Sequence, residues 1–331
     1  MKRMSLAGRV DEALSHLMLL GLASIMEESG AKEVSVWWED GIEPLPTVGW
    51  EEGIGPAEAV VVHVQRHADE SSWVRQWQMH DGKQVGLFSP RISAPRGRSS
   101  WQSLVQARRK ALDSGLTRLD HRMIGSLGEP AYWLMDAMDG QPDSGASRWE
   151  MKTRNRGEEF VGQRLRPLAE ALSERSVEDV QRSLEGVRLQ DLNHDALSRT
   201  PTGLTIPQPT DAVRAWCALW GIAASTLVPS SPARRASLSQ TSGTWPRDRV
   251  HPQHHVMPVW STPVSVAKVR SLLTSAPLDV LSRGELDQGA RRELQRSGVV
   301  ALVRFPVRVG GSASAPERML LSGWLELLDD A

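Results

Sequence analysis

The chain has 331 residues, of which 40% are hydrophobic and 24% are charged, and its formal net charge is -1. These values exclude a wholly disordered chain, and no apolar run reaches the roughly 20 residues that span a bilayer. The single cysteine, Cys217, excludes an internal disulfide. We therefore expect a cytoplasmic protein that makes no contact with a membrane.

The first 90 residues predict one helix packed on a small sheet. Val10–Glu28 carries apolar residues at helical spacing, which predicts a largely buried amphipathic helix. Glu33–Trp38 and Ala59–Gln65 are rich in valine or tryptophan, which predicts two strands. The segment between them is acidic and rich in proline and glycine, so we expect a loop there.

A predicted hairpin and a basic loop follow. Trp73–Met79 and Gln84–Phe88 flank Asp81-Gly82, a pair that favours a tight turn because both positions tolerate positive φ. Ser89–Ser100 contains two prolines and four serines and is predicted to be an exposed loop. Ser100 is expected to cap a helix over Trp101–Asp113.

The remainder predicts more helices and a C-terminal strand pair. The predicted helices are Gly157–Ser173 (broken or kinked at Pro167), Val177–Leu184, Ala212–Leu227, Val264–Ser275 and Glu285–Arg296. Ser230–His255 is predicted to be a loop, and Val299–Val309 is expected to pair with Arg318–Leu328. The predicted fold class is α+β, with small, mainly antiparallel sheets packed with helices. We expect an N-terminal region over 1–200 and a C-terminal region over 201–331, which could form one continuous domain.

Charge is segregated along the chain although its total is near zero. Gly86–Gly125 holds eight basic residues against Asp113 and Asp120, a local excess of +6. The acidic side chains concentrate upstream, between Glu27 and Glu58. Mixed charge avoids self-repulsion, so this segregation favours a polyanionic partner.

Arginines with nearby tryptophans are the candidate nucleic-acid contacts. Arginine makes forked contacts with phosphate, and tryptophan stacks on unpaired bases. The predicted contact residues are Arg91, Arg96, Arg98, Arg108, Arg109, Arg154, Arg156, Arg234, Arg235, Trp101, Trp149 and Trp245. For Arg108 and Arg109 a structural interpretation is also strong, because cations near a helix C-terminus are favourable to the helix dipole.

No catalytic motif is evident. The sequence lacks a Gly-x-Ser-x-Gly elbow and a phosphate-binding loop, and Cys217 lies in an apolar helix where a thiolate is disfavoured. His251, His254 and His255 are close in sequence but have no second ligand cluster, so a solvated loop is favoured over a metal site. His63 and His67 are four apart on a predicted strand, which puts them on one face without bringing them close, so we interpret His63 as a packed or edge histidine. We expect a non-enzymatic protein without a cofactor.

Three stretches resemble subunits of type I CRISPR interference complexes, especially the I-U or I-G variants. These stretches are Ser15–Asp40, Ala215–Pro229 and Gly298–Gly323. The resemblance implies a non-catalytic subunit that contacts guide RNA, target DNA or both, beside other subunits of the complex. The chain is short for a large subunit, and residues that read a flanking DNA motif cannot be assigned in it.

Two other functions remain open at this stage. One is a protein-interaction or scaffolding module whose basic loops dock on acidic surfaces. The other is a metal-dependent nuclease that uses His251, His254 or His255. Each makes a different prediction, namely co-purifying protein without nucleic acid, or a stoichiometric metal ion.

Overall fold

The computed structural model describes residues 1–80, 83–88, 98–127, 161–187, 210–225, 227–228, 240–241, 243–245, 253–312 and 315–328. The helices within these ranges are α1 (Ala13–Glu28), α2 (Pro56–Ala68), α3 (Arg98–Leu112), α4 (Arg118–Leu127), α5 (Arg166–Leu172), α6 (Val177–Leu184), α7 (Ala212–Gly221), α8 (Val266–Leu273), α9 (Ala276–Ser282) and α10 (Gln288–Arg296). None of them is both long enough and apolar enough to cross a membrane.

Within the described ranges, the strands form two larger antiparallel sheets and two antiparallel strand pairs, β4–β5 and β6–β7. The strands are β1 (Lys2–Ser5), β2 (Ser35–Trp38), β3 (Pro46–Trp50), β4 (Trp77–His80), β5 (Lys83–Gly86), β6 (Leu227–Val228), β7 (Gln240–Thr241), β8 (Thr244–Trp245), β9 (His254–Trp260), β10 (Val299–Ser312), β11 (Ala315–Leu320) and β12 (Trp324–Leu327). The N-terminal sheet has the order β1-β3-β2. The C-terminal sheet has the order β11-β10-β9-β8, with β12 also paired to β10. The protein is therefore α+β, as predicted.

Helix α1 lies at the centre of the core. All its residues from Ala13 to Met26 are buried, and it packs along α7. An added Cβ at Gly21 would overlap the backbone carbonyl of Cys217, and one at Gly221 would overlap the carbonyl of Leu17. The two backbones approach this closely because glycine stands on both sides of the crossing.

The two larger sheets are joined directly. Val36 of β2 and Val264 form an isolated antiparallel bridge with N–O distances of 2.8 and 3.1 Å. The indole Nε1 of Trp260 on β9 also donates to the carbonyl of Val36. The N-terminal sheet and the C-terminal sheet therefore share hydrogen bonds. The division into regions 1–200 and 201–331 stays a prediction.

Several predicted elements are confirmed. Helix α6 and the pairing of β10 with β11 lie where the sequence places them. Strands β4 and β5 pair as predicted, but β4 begins at Trp77 and residues 73–75 form a turn instead of the start of the predicted strand. The last predicted strand is interrupted, because β11 ends at Leu320 and β12 begins at Trp324. Before Pro167, residues Val161–Leu165 form a π-helical turn, which fits a proline that has no N–H to donate.

Other predictions are wrong. Residues 59–65 belong to helix α2 instead of a strand, because Pro56 suits a first helical turn and the buried Val60, His63, Val64 and His67 lie on one helical face. The predicted 230–255 loop contains strands β7 and β8 and the start of β9 at His254. Helix α3 starts at Arg98, so this residue is helical instead of lying in the basic loop.

Candidate nucleic-acid interface

Three arginines from two helices act electrostatically on Glu27 in the last turn of α1. Arg118 and Arg122 are one turn apart on α4, and Arg270 lies on α8. Both helices contact α1, which ends with Glu27 and Glu28. Arg118 is exposed, whereas Arg122 and Arg270 are half-buried. We call Arg118, Arg122 and Arg270 the arginine cluster.

The positive charges of the arginine cluster repel one another. Burial, together with the charges of Arg270 and Arg118, lowers the pKa of Arg122. Burial and the charge of Arg118 likewise lower the pKa of Arg270, whereas Glu27 raises it. Guanidinium groups remain protonated despite such shifts, so the cluster keeps three positive charges beside one carboxylate.

The arginine cluster is also incompletely paired. Within the described residues, none of its three side chains forms an ion pair with a carboxylate. The Nε atom of Arg270 is buried and has no hydrogen-bond partner there. An unsatisfied buried donor costs about 1–3 kcal/mol, so these groups have capacity left for an anion.

A buried polar network fixes the opposite face of α4. The carboxylate of Asp120 accepts from Trp73 Nε1 at 2.8 Å and from Arg66 Nη2 at 3.2 Å. It also accepts from the Thr117 amide at 2.9 Å and from the Thr117 hydroxyl at 2.8 Å. Arg118 and Arg122 are each two residues from Asp120, about 200° around the helix, so they point away from this network.

Two histidines of α2 belong to the same network. Arg66 donates to His67 Nε2 at 2.7 Å, so the proton of His67 lies on Nδ1, which donates to Ser72 Oγ at 2.9 Å. Trp216 Nε1 donates to His63 Nδ1 at 3.1 Å. The two histidine rings are 4.6 Å apart on helix α2, so the prediction that a strand keeps them from coming close is wrong, whereas His63 is packed in the interior as predicted.

Replacing Asp120 with alanine should lower the free energy of unfolding by about 3–5 kcal/mol. The change leaves the Trp73 indole and the Thr117 amide without an acceptor and removes a counter-charge from Arg66. Urea unfolding measures the effect. Asp113→Ala, at an exposed position after α3, is the matched control and should change stability by less than about 0.5 kcal/mol. Equal losses in both variants would contradict the role of the network.

Most of the predicted contact residues lie outside the described part of the chain. These are Arg91, Arg96, Arg154, Arg156, Arg234, Arg235 and Trp149. Arg98 and Trp101 belong to the first turns of α3, and Arg109 is exposed near its end.

Arg108 requires a correction. Its side chain is fully buried, its Nη1 donates to the carbonyl of Leu87 at 2.7 Å, and its guanidinium lies 5.2 Å from the centre of the Phe88 ring. These contacts attach α3 to the end of the β4–β5 hairpin. Arg108 is therefore part of the folded interior and is not available to a phosphate.

Trp245 is half-buried at the end of β8. The guanidinium of Arg283 lies 5.4 Å from its ring centre, and Arg283 also pairs with Asp279 at 2.7 Å. One face of this indole is therefore covered by an arginine that belongs to the fold, which leaves less of the ring for stacking on a base.

The histidines of β9 do not share a site. His254 Nε2 lies 2.8 Å from the carbonyl of Ser282, whereas the side chain of His255 is buried in the core. Neighbouring residues of a strand point to opposite faces, so His254 and His255 cannot readily bind one ion. His251 lies outside the described residues. Across the described ranges, no group of three or more histidine, cysteine, aspartate or glutamate side chains is arranged to hold a metal ion.

Comparisons with known proteins found no relative of this chain. No protein-family model, no curated protein and no solved structure matches this chain.

The sequence indicated only part of the arginine cluster. Arg118 and Arg122 lie within the basic Gly86–Gly125 segment, although they were not among the predicted contacts. Arg270 was missed because it is about 150 residues away in sequence and stands in an ordinary amphipathic helix. Only the packing of α4 and α8 against α1 brings these side chains together.

Proposed function

We propose that the protein is a non-catalytic nucleic-acid-binding protein that contacts the phosphate backbone through the arginine cluster. The observation that carries this proposal is the mutual electrostatic influence of Arg118, Arg122 and Arg270, which also act on Glu27, without an ion pair in the described residues. Two or three guanidiniums that repel one another gain most from an anion with several acceptor oxygens, and a phosphodiester is such an anion.

The surroundings of the cluster support a polyanion over a single small anion. Arg109 and Lys110 add exposed positive charge near the end of α3, just before α4 in the chain. A chain of phosphates can engage separated cations together, whereas one small anion cannot.

The salt dependence of binding tests the proposal. Affinities of labelled single-stranded RNA, single-stranded DNA and duplex DNA are measured by fluorescence anisotropy over a range of salt concentrations. In the Arg118→Gln/Arg122→Gln variant, the slope of log affinity against log salt should flatten by about 1.4–1.8, because each lost phosphate contact removes about 0.7–0.9. Adding Arg270→Gln should flatten it by a further 0.7–0.9 or so.

The chain offers a matched control for this experiment. Arg292 and Arg296 are exposed and lie one turn apart on α10, as Arg118 and Arg122 do on α4. Arg292→Gln/Arg296→Gln removes the same total charge and should leave the slope unchanged. Equal slopes in the wild type and in the triple cluster variant, or equal effects of the two double variants, would overturn the proposed interface.

The more specific assignment to a CRISPR interference complex in the cytoplasm rests on the sequence resemblance alone. Co-expression with candidate backbone subunits and guide RNA tests it. Retention of the protein in a ribonucleoprotein of defined stoichiometry supports the assignment. Elution as a free protein, while the neighbouring subunits assemble without it, contradicts the assignment but leaves nucleic-acid binding standing.

One observation favours a protein-interaction module as a second candidate. Strand β12 pairs only with β10 among the described strands, and its Trp324, Leu325 and Leu327 are 48%, 46% and 61% exposed. An exposed apolar edge strand is a common docking element for other chains. The purified protein should then carry a partner protein and show an absorbance ratio typical of protein without nucleic acid.

A further inference from the structure

Strand β1 has one edge without a partner strand in the described part of the chain. It is the outer strand of the order β1-β3-β2, so β3 pairs with only one of its edges. The amide of Leu6, just after β1, donates to the carbonyl of Pro46 on the β3 side. Because backbone groups alternate between the two edges of a strand, the amides and carbonyls of Arg3 and Ser5 point away from β3.

Helix α6 closes this free edge at one end. The amide of Ala7, which has the same orientation as those of Arg3 and Ser5, donates to the carbonyl of Leu184 at 2.9 Å. Within the described ranges, no hydrogen bond reaches the outward backbone groups of Arg3 and Ser5. Such unpaired groups on an edge strand are a template for an added strand.

A cavity of about 530 Å³ lies along the free edge of β1. Its lining residues come from β1, the end of β3, the start of α2 and one face of α6. Three of them are apolar side chains on different elements, namely Met4, Trp50 and Val177. Val177 is 46% exposed, so the wall that α6 forms offers apolar surface to a ligand.

The same cavity is acidic. Among its lining residues only Arg3 is basic, and its guanidinium lies 3.5 Å from the carboxylate of Glu39. Glu58 and Glu185 also line the cavity, are exposed, and form no ion pair within the described residues. Glu185 follows the last turn of α6, where the partial negative charge of the helix end favours a cation. These groups together favour a positively charged side chain.

We propose that this cavity is a docking groove for an extended peptide segment of a partner protein that carries apolar and basic side chains. The segment adds a strand to β1, and the outward amides and carbonyls of Arg3 and Ser5 bind its backbone. Outward groups two residues apart repeat about every 6.6 Å, which is also the repeat of an extended peptide. Val177 packs against an apolar side chain of the segment, and Glu58 and Glu185 attract a basic one.

Ser5→Pro tests the added strand. It removes an N–H that points away from β3, so the hydrogen bonds with β3 remain, and proline is tolerated at such edge positions. The probe is a fluorescein-labelled hexapeptide of alternating valine and lysine, and fluorescence anisotropy measures its binding. Ser5→Pro should weaken binding about tenfold, because a backbone hydrogen bond is lost and the proline ring stands at the edge. Ser5→Ala keeps the amide and should bind as the wild type does.

Glu58→Gln/Glu185→Gln tests the charge of the groove. At low salt this variant should bind the valine–lysine peptide about fivefold more weakly, because two attractive charges at a protein surface are lost. Glu70→Gln/Glu293→Gln removes two exposed carboxylates outside the groove and should leave affinity unchanged. A peptide with glutamate in place of lysine should bind the wild type more weakly.

Further measurements separate this inference from the proposed function. Bound peptide should slow hydrogen exchange of the Arg3 and Ser5 amides, and circular dichroism shows that each variant is folded. If the valine–lysine peptide does not bind, or binds folded Ser5→Pro as tightly as the wild type, the docking groove is refuted. Equal binding of the lysine and glutamate peptides contradicts a basic partner. The arginine cluster does not line the groove, so all these variants should keep the salt dependence of nucleic-acid binding.

Discussion

Lowering the pH from 7.5 to 5.5 should reduce the free energy of unfolding by about 5 kcal/mol, because four buried histidines are neutral in the folded protein. Burial lowers the pKa of His16 to about 4 and those of His67 and His255 to about 3. It lowers the pKa of His63 well below its usual value. All four side chains are at most 2% exposed.

The sign follows from proton binding in the two states. In the unfolded chain these histidines take up protons below about pH 6.5, whereas in the folded protein burial keeps them neutral at pH values well below that. The unfolded state therefore binds more protons in this window, and each histidine contributes about 1.4 kcal/mol per pH unit once the pH is well below 6.5. The contribution of these histidines to the free energy of unfolding is fully present above pH 7 and is lost as the pH falls.

Urea unfolding at several pH values measures this effect. The slope of unfolding free energy against pH, divided by 2.303RT, should approach four protons near pH 5.5. Carboxylates contribute little in this range because they titrate mainly at lower pH. An uptake of one proton or fewer would mean that the four histidines are charged in the folded protein, which is incompatible with their burial.

Substituting alanine for Gly21 should lower the free energy of unfolding by at least about 3 kcal/mol, and Gly221→Ala should have a similar effect. A Cβ at either position would overlap a backbone carbonyl of the opposite helix, Cys217 or Leu17. Rotation of a side chain cannot relieve an overlap with backbone, so α1 and α7 must separate. Separation loosens the contact between α1 and α7, which is the most extensive contact between helices in the described part of the chain.

Gly125 of α4 provides the control for this prediction. A Cβ added there meets no atom within 4 Å. Gly125→Ala should therefore stabilise the protein by about 0.5–1 kcal/mol, because alanine is the better helix former. Thermal and urea unfolding should show a lower free energy of unfolding for Gly21→Ala and Gly221→Ala and a higher one for Gly125→Ala. Stabilisation by Gly21→Ala would show that α1 and α7 are further apart than described.

Local patterns predicted much of the fold. Apolar residues at helical spacing identify α1, α6, α8 and α10, and runs of β-branched residues identify β10. A run of β-branched residues also led to the wrong prediction of a strand at α2. Its residues Val60, Val61, Val62 and Val64 favour a strand locally. Tertiary packing overrides that preference, since the helix buries Val60 and Val64 and leaves Val62 half exposed.

The sequence predicted the class of partner that the proposed interface binds, but not which residues form that interface. Clustered arginine and lysine indicated a polyanion partner, but sequence does not say which side of a helix faces the core. Arg108 illustrates this, because it is buried against Leu87 and Phe88 while the adjacent Arg109 is exposed. Arg270 joins the cluster through long-range packing, which no local pattern encodes.

The packing of α1 on α7 has a consequence for synthesis of the protein. Helix α1 is buried on every side, and α7, which packs along it, begins only at Ala212. At roughly 5–20 residues per second, a ribosome needs about ten to forty seconds to reach that point, and during this time α1 has only its earlier partners α2, α4, β2 and β3. The nascent chain therefore exposes the side of α1 that packs on α7 until that helix emerges, and this exposed side is a binding site for a chaperone.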